Sequence, residues 1–393
     1  MLLDKCDRRI GPAYAYRDSR TEGVQEMLEE RGILSFSEHY HRCGIQYQPF
    51  NTCYQLLAQK WDAPEDFGRA RSFLMVPDYL NFRLCGVKAN EYTNASTTGL
   101  VNAKTKMWDH ELLERLGLPC DIFSDSTMPG CVLGELLPEV AERVGYQTKV
   151  VLPATHDTGS AWLAVPAKDD HTAYLSSGTW SLLGCELDEP VTTEESRKAN
   201  FTNEGGYEGR FRYLKNIMGL WMIQNVRREC PKAGGTLPGW GELAEGARAA
   251  AKAGFASSVD ADDGRFLAPE SMSEELKAAC RESGQDVPDT PGKLAATVFR
   301  SLAKDYAATV KELSRLTGRE YSTIAIVGGG SQNQYLNELC ADESGLSVTA
   351  GPMEGTALGN LMVQAIAQGD FGTLEEARAA IRKSFEIKEV MPR

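Results

Sequence analysis

The run Val151-Leu152-Pro153-Ala154-Thr155-His156-Asp157-Thr158-Gly159-Ser160-Ala161 places a histidine, a carboxylate and a hydroxyl where an apolar strand gives way to a helix. In open α/β sheets, ligands gather just outside the carboxyl ends of strands, and a carboxylate there can take a proton from a bound hydroxyl. Asp157 fits a plain helix N-cap as well. Leu175-Ser176-Ser177-Gly178-Thr179-Trp180-Ser181 puts a Gly-Thr turn between two apolar β segments, where backbone amides and a hydroxyl can meet a phosphate, or where the chain merely turns. Ile326-Val327-Gly328-Gly329-Gly330-Ser331-Gln332-Asn333 follows a strand, and its glycines permit close approach of a flat ligand. It matches neither the dinucleotide fingerprint nor the Walker A pattern, which argues against a Rossmann dehydrogenase or a P-loop enzyme. Asn216 is read as the N-cap of a helix over Ile217–Arg228, with Gln224 two turns further on. An amide at such a position suits a sugar hydroxyl and a simple cap equally.

The elements that must position these residues read as alternating α and β. Strands are expected at Lys149–Leu152, Ala173–Ser176, Trp180–Cys185 and Thr323–Val327. Helices are expected at Glu22–Glu30, Leu133–Val144, Ile217–Arg228, Pro238–Ala251, Met272–Ser283, Pro291–Leu316 and Gly355–Gln368. Such alternation argues α/β layers. The turn-rich stretch Val165–Asp170 is the expected boundary between an N-terminal half, 1–164, and a C-terminal half, 165–393. Residues 253–271 read as a long surface loop, and Met1–Asp4 as the end of a strand followed by a polar turn.

A chain of 393 residues has length for two or three domains. Its net charge of −13 opposes a nucleic-acid or anionic-membrane surface, though not a nucleotide pocket built from backbone amides. No apolar run approaches the roughly 20 residues of a membrane span. Asp4 interrupts any secretory leader, and the 10 cysteines contain no Cys-x-x-Cys pair, so reduced cytoplasmic thiols are expected rather than a zinc ribbon or disulfide framework. The histidines lack metal-ligand spacing, and no built-in metal site is expected.

Taken together, these turns resemble those of the FGGY carbohydrate kinase family. The matching motifs are Tyr16-Arg17-Asp18-Ser19-Arg20-Thr21, Gly44-Ile45-Gln46-Tyr47-Gln48-Pro49-Phe50-Asn51-Thr52, Pro77-Asp78-Tyr79-Leu80 and Glu91-Tyr92-Thr93-Asn94-Ala95. They continue through His156-Asp157-Thr158, Leu175 to Leu182, Thr202-Asn203-Glu204-Gly205-Gly206, Lys215 to Trp221 and Val327 to Asn333, nearly the whole chain. The resemblance implies an α/β actin-like ATPase fold, two lobes with ribonuclease-H-like sheets, 1–164 forming the sugar-binding lobe and 165–393 the nucleotide-binding lobe.

The implied reaction converts L-rhamnulose and ATP, with Mg2+, to L-rhamnulose 1-phosphate in the cytoplasm; xylulose, fuculose or glycerol are alternative acceptors. By position, Asp157 resembles the catalytic base. His156, Asp157, Thr158 and Asn216 resemble sugar-binding residues, and Thr179, Gln224, Gly328, Gly329 and Gly330 resemble ATP-binding ones. The resemblance aligns Met1 inside a later strand of the first lobe. The family's opening hairpin, with its phosphate- and magnesium-binding Asp, and its closing C-terminal helix are therefore expected to fall outside this sequence. A sugar- or nucleotide-binding fragment without catalysis is the corresponding alternative.

Overall fold

The computed structural model describes residues 1–15, 18–231 and 235–393. Tyr16 and Arg17 of the first motif lie outside the described residues. The chain divides into two compact units, one of Met1–Leu163, Glu186–Leu214 and Ala357–Ala377, the other of Ala164–Cys185, Lys215–Thr356 and Arg378–Arg393.

In the first unit, Leu2–Leu3 is a strand flanked on both sides by antiparallel partners, Arg9–Ile10 and Ser72–Phe73. The polar turn after it is closed by Asp4, whose backbone N–H donates to the Arg8 carbonyl and whose side chain accepts from the N–H groups of Cys6 and Arg8. Leu2, Leu28, Tyr54, Phe73, Trp108 and Leu113 share a core in which Phe73, Trp108 and Phe123 pack ring on ring at 4.9–6.2 Å. Two of the sequence motifs interlock there. Asn203 donates its backbone and side-chain N–H groups to the Gly44 carbonyl at 2.8 and 3.1 Å, and Gly205 N donates to Ser96 Oγ at 2.7 Å. A side chain at Gly205 would collide with the Tyr92 ring, so glycine is required for this approach.

The main sheet runs, edge to edge, Phe201–Gly205, Phe211–Met218, Trp180–Leu187, Thr172–Ser177, Thr323–Val327, Ser347–Ala350 and Lys388–Val390. Its parallel centre joins Thr323–Val327 to Thr172–Ser177 and to Ser347–Ala350; the first two are buried almost throughout, as expected where both faces are covered, while Ser347–Ala350 alternates. The 27-residue helix Pro291–Thr317 belongs to the second unit. Thr290 caps it by accepting from Lys293 N, Pro291 sits in its first turn, and Gly318 ends it with φ of 68°.

Three expectations are corrected. Leu133–Val144 is not one helix: Val132–Glu135 is a strand paired with Lys149–Val151 through a bulge at Gly134, and the helix starts at Pro138, where fixed φ favours a first turn. The helix expected from Ile217 begins at Trp221, because Ile217 and Met218 complete the buried strand Phe211–Met218. Asn216 is therefore a strand residue and not an N-cap. Residues 253–271 are anchored rather than free, with Phe255, Ala261 and Phe266 buried. No helix of the described residues is long and apolar enough to cross a membrane.

Candidate active site

The strand Lys149–Val151 and the buried Leu152 lead into the corner at Thr155–Asp157, where helix Asp157–Leu163 starts. Asp157 Oδ1 accepts from Thr158 N at 2.6 Å and from Thr158 Oγ1 at 3.3 Å. Its side chain is nevertheless 82% exposed, so the same carboxylate closes the helix start and faces solvent, where a substrate hydroxyl could reach it. His156 stands beside it, Nδ1 lying 3.4 Å from Asp157 Oδ1.

Arg212 fixes the electrical state of that histidine. The arginine is buried, pairs with Glu204 at 2.9 Å, donates Nε to the Gly205 carbonyl at 2.9 Å, and points Nη1 at His156 Nδ1 at 3.4 Å. Burial, and then the Arg212 charge, push the imidazole below its ordinary range, so His156 is neutral at neutral pH. Nδ1 faces the Arg212 N–H and the Asp157 carboxylate at the same 3.4 Å, and Nε2 lies 3.9 Å from Glu204 Oε2, so each ring nitrogen has a carboxylate beside it to which an N–H can point.

Glu91, wholly buried, accepts hydrogen bonds from Thr93, Asn94 and Thr155, the last being the residue before His156. Burial pushes its carboxyl up while these donors oppose the shift. Glu91 N in turn donates to Asp78 Oδ1 at 3.2 Å. Asp78 is 1% exposed, and burial, reinforced by the Glu91 charge, pushes it up to about 8.

The native state therefore holds a proton on Asp78 that the unfolded chain releases near its ordinary value of 3.8. Stability from that proton is full below the ordinary value and is lost as pH rises towards 8. Asp78→Asn copies the protonated shape without titrating. Urea unfolding should show a flatter pH dependence between 5 and 8, and a gain of about 1–3 kcal/mol over wild type at pH 8. An unchanged slope would place the titration elsewhere.

In the second unit, the Gly-Thr turn and the triple-glycine turn meet at the carboxyl ends of parallel neighbours Thr172–Ser177 and Thr323–Val327. A Cβ on Gly330 would lie 1.9 Å from Ser177 Oγ, and one on Gly328, whose φ is 88°, would lie 2.9 Å from the Ser177 carbonyl. Only glycine allows this seat. Gly329 differs: it is exposed, and a Cβ there would meet nothing within 4 Å, so its backbone is open to a ligand.

Thr179 is exposed at the tip of the hairpin. Its carbonyl accepts from Trp221 N at 3.1 Å, and the Gly178 carbonyl accepts from Leu220 N at 2.9 Å, so the hairpin tip holds the start of helix Trp221–Glu229, one turn into which lies half-buried Gln224. Gly219 makes that contact possible, since a Cβ would stand 2.6–2.7 Å from backbone atoms of Thr179, Trp180 and Ser181. Asn216 is half-buried in the strand that runs into Gly219.

The structure thus brings His156, Asp157 and Thr158 together in one unit. In the other it gathers Thr179, Gly328, Gly329, Gly330 and the helix of Gln224. Sequence reasoning assigned no task to Glu91 or Arg212. The signal for Glu91 was a carboxylate followed at two and three residues by Thr93 and Asn94, a local capping pattern; for Arg212 there was none, because a buried arginine is recognised only by its partners.

Comparison with known proteins adds the following. Residues 1–164 match the N-terminal domain, and residues 173–368 the C-terminal domain, of the FGGY family of carbohydrate kinases. The chain is 47% identical to a rhamnulokinase of Oceanobacillus iheyensis over 98% of its own length and 80% of that protein's. It is 46% identical to a rhamnulokinase of Halalkalibacterium halodurans (99% and 81%) and 44% identical to one of Klebsiella pneumoniae (100% and 78%). Its fold is similar to that of a ligand-bound xylulose kinase and a gluconate kinase, both of Lactobacillus acidophilus, with TM-scores of 0.78 and 0.80 at 19% and 18% identity. Each similarity covers all of this chain and 77% of the other.

Proposed function

We propose, from the premise that this chain belongs to the FGGY family of carbohydrate kinases, that it transfers the γ-phosphoryl group of ATP to L-rhamnulose, giving L-rhamnulose 1-phosphate and ADP. The observation that carries the choice of sugar is the 44–47% identity, along nearly the whole chain, to proteins named rhamnulokinase.

Phosphoryl transfer needs alignment of the attacking hydroxyl and neutralisation of charge more than covalent help. Asp157, exposed at its helix start, accepts the proton of the sugar hydroxyl as the new P–O bond forms and the bond to the ADP oxygen breaks. Neutral His156 hydrogen-bonds a sugar oxygen through its imidazole, Thr158 shares the same corner, and Asn216 supplies an amide to the sugar.

Thr179 and Gln224 hold the nucleotide, and the open backbone of Gly329, flanked by Gly328 and Gly330, lets it approach. Residues 1–164 serve the sugar and 165–393, Asn216 excepted, the nucleotide, a division supported by the family models meeting between 164 and 173. Among the described residues no cluster of His, Cys, Asp or Glu could hold a metal ion. The Mg2+ of this reading comes from the chemistry of ATP, on which it would offset phosphate charge. Ten cysteines, none of them in a disulfide, suit a reducing cytoplasm.

ADP release by the purified chain, measured with L-rhamnulose, L-fuculose, D-xylulose and glycerol, tests the reading. L-Rhamnulose should give a kcat/KM at least ~10-fold above the others, the discrimination that about 1.4 kcal/mol of differential transition-state binding supplies. A folded chain that prefers another acceptor corrects the sugar. One that binds sugar or ATP by calorimetry but releases no ADP would overturn the catalytic reading.

A further inference from the structure

We infer that Glu91 is a positioning residue for Asp157, holding the Thr155–Asp157 corner to the start of helix Tyr92–Ala95 through two threonine hydroxyls that its carboxylate orients. This rests on the proposed role of Asp157 as base. Glu91 is 0% exposed and acts as acceptor for five donors. Its Oε1 accepts from Thr93 N at 2.7 Å. Its Oε2 accepts from Thr93 Oγ1 at 2.5 Å, Asn94 N at 3.2 Å, Thr155 N at 3.0 Å and Thr155 Oγ1 at 2.7 Å.

A hydroxyl has one proton. With the Thr93 proton committed to Glu91, its oxygen can only accept, and it accepts from His156 N at 3.2 Å. The Thr155 proton is committed in the same way, and its oxygen accepts from Asn94 Nδ2 at 3.2 Å. Each of the three residues before and at the corner is therefore tied down: Ala154 through its carbonyl to Ser160 Oγ at 2.6 Å, Thr155 to Glu91, and His156 through Thr93. Asp157 follows directly, its exposed side chain accepting from Thr158 N and lying beside His156 Nδ1. A short cap would need only the Thr93 and Asn94 contacts. The pair of bonds to Thr155, 64 residues away in sequence, serves the corner instead.

The test is a double-mutant cycle on kcat for ADP release at saturating ATP and sugar, with the folded fraction of each variant measured by circular dichroism. Glu91→Gln puts an NH2 group against N–H donors and should lower kcat by ~10–100-fold with KM for ATP changed less than about twofold. In an Asp157→Asn background the same substitution should cost less than about twofold, because a residue acting only through Asp157 has nothing left to position.

An equal loss in both backgrounds would mean that Glu91 is merely structural and would overturn the inference. Full activity of Asp157→Asn alone would instead remove the premise about the base. Should Glu91→Gln fail to fold, Thr93→Val, which keeps the shape and deletes the relay hydroxyl, takes its place in the same cycle. It is expected to lose ~5–10-fold with the same non-additivity.

Discussion

Asp157→Asn should lower kcat for ADP release by ~10²–10⁴-fold while leaving KM for ATP within about twofold, the range that a positioned general base contributes. The substitution is close to isosteric, and an Asn side-chain oxygen can still accept from Thr158 N, the 2.6 Å bond that closes the start of helix Asp157–Leu163. What it removes is the ability to take a proton from the sugar. Stability should consequently stay within about 0.5 kcal/mol, since the side chain is 82% exposed. Loss of activity together with loss of folding would instead mark Asp157 as a cap and nothing more. A kcat within twofold of wild type would show that the proton leaves by another route.

How much of this was legible in the sequence depends on the range of the interactions. Helix Pro291–Thr317 was readable because its signals are local, from Pro291 at its start through a long apolar period to Gly318 at its stop. The strands Thr172–Ser177 and Thr323–Val327 were readable as short β-branched runs ending in glycine turns, and those same glycines drew attention to Gly328, Gly329 and Gly330. Strand Phe211–Met218 was not expected, and its last residues were taken into the helix from Ile217, because Ile217-Met218-Gly219-Leu220-Trp221 carries an apolar pattern that suits either period; the tight seat of Gly219 against Trp180 and Ser181, which decides the matter, is a tertiary contact. Glu91 and Arg212 illustrate the same limit. A charged residue is pushed into the interior only by partners far along the chain, here Thr155 for Glu91 and His156 for Arg212, and no local pattern encodes them.

The helices Phe36–Cys43 and Thr52–Asp62 were not expected, for a related reason. Each buries polar or aromatic groups satisfied at a distance, such as His39 on the Gly99 carbonyl and Tyr54 on Gln25. Polarity that is hydrogen-bonded inside reads in a sequence as surface.

Gly359→Ala should be the most destabilising single methyl in the chain's site-bearing unit, at about 3 kcal/mol or more, despite the roughly 1 kcal/mol that alanine normally gains over glycine within a helix. Gly359 lies in helix Gly355–Gln368, and a Cβ there would stand 1.7 Å from the Ser160 carbonyl oxygen and 2.6 Å from its carbon. Both obstacles are backbone, so no rotamer relieves them, and one helix must move away from the other. The move would open the small core of Ala154, Leu163, Val363 and Leu374, which lies against the same helix. It would also displace Ser160, three residues after Asp157, whose hydroxyl holds the Ala154 carbonyl.

Activity per folded molecule should therefore fall as well, since a shift near 1 Å at a catalytic group costs on the order of 10²-fold. Gly241→Ala provides the contrast: it too lies in a helix, Trp240–Lys252, but its Cβ would meet nothing, and it should be neutral or stabilising by up to about 1 kcal/mol. Urea unfolding midpoints and kcat for the two variants decide between these outcomes. If Gly359→Ala matched Gly241→Ala in both, the contact of helix 355–368 with helix 157–163 would not be what holds Asp157 in place, and the corner would depend on Glu91 and Thr93 alone.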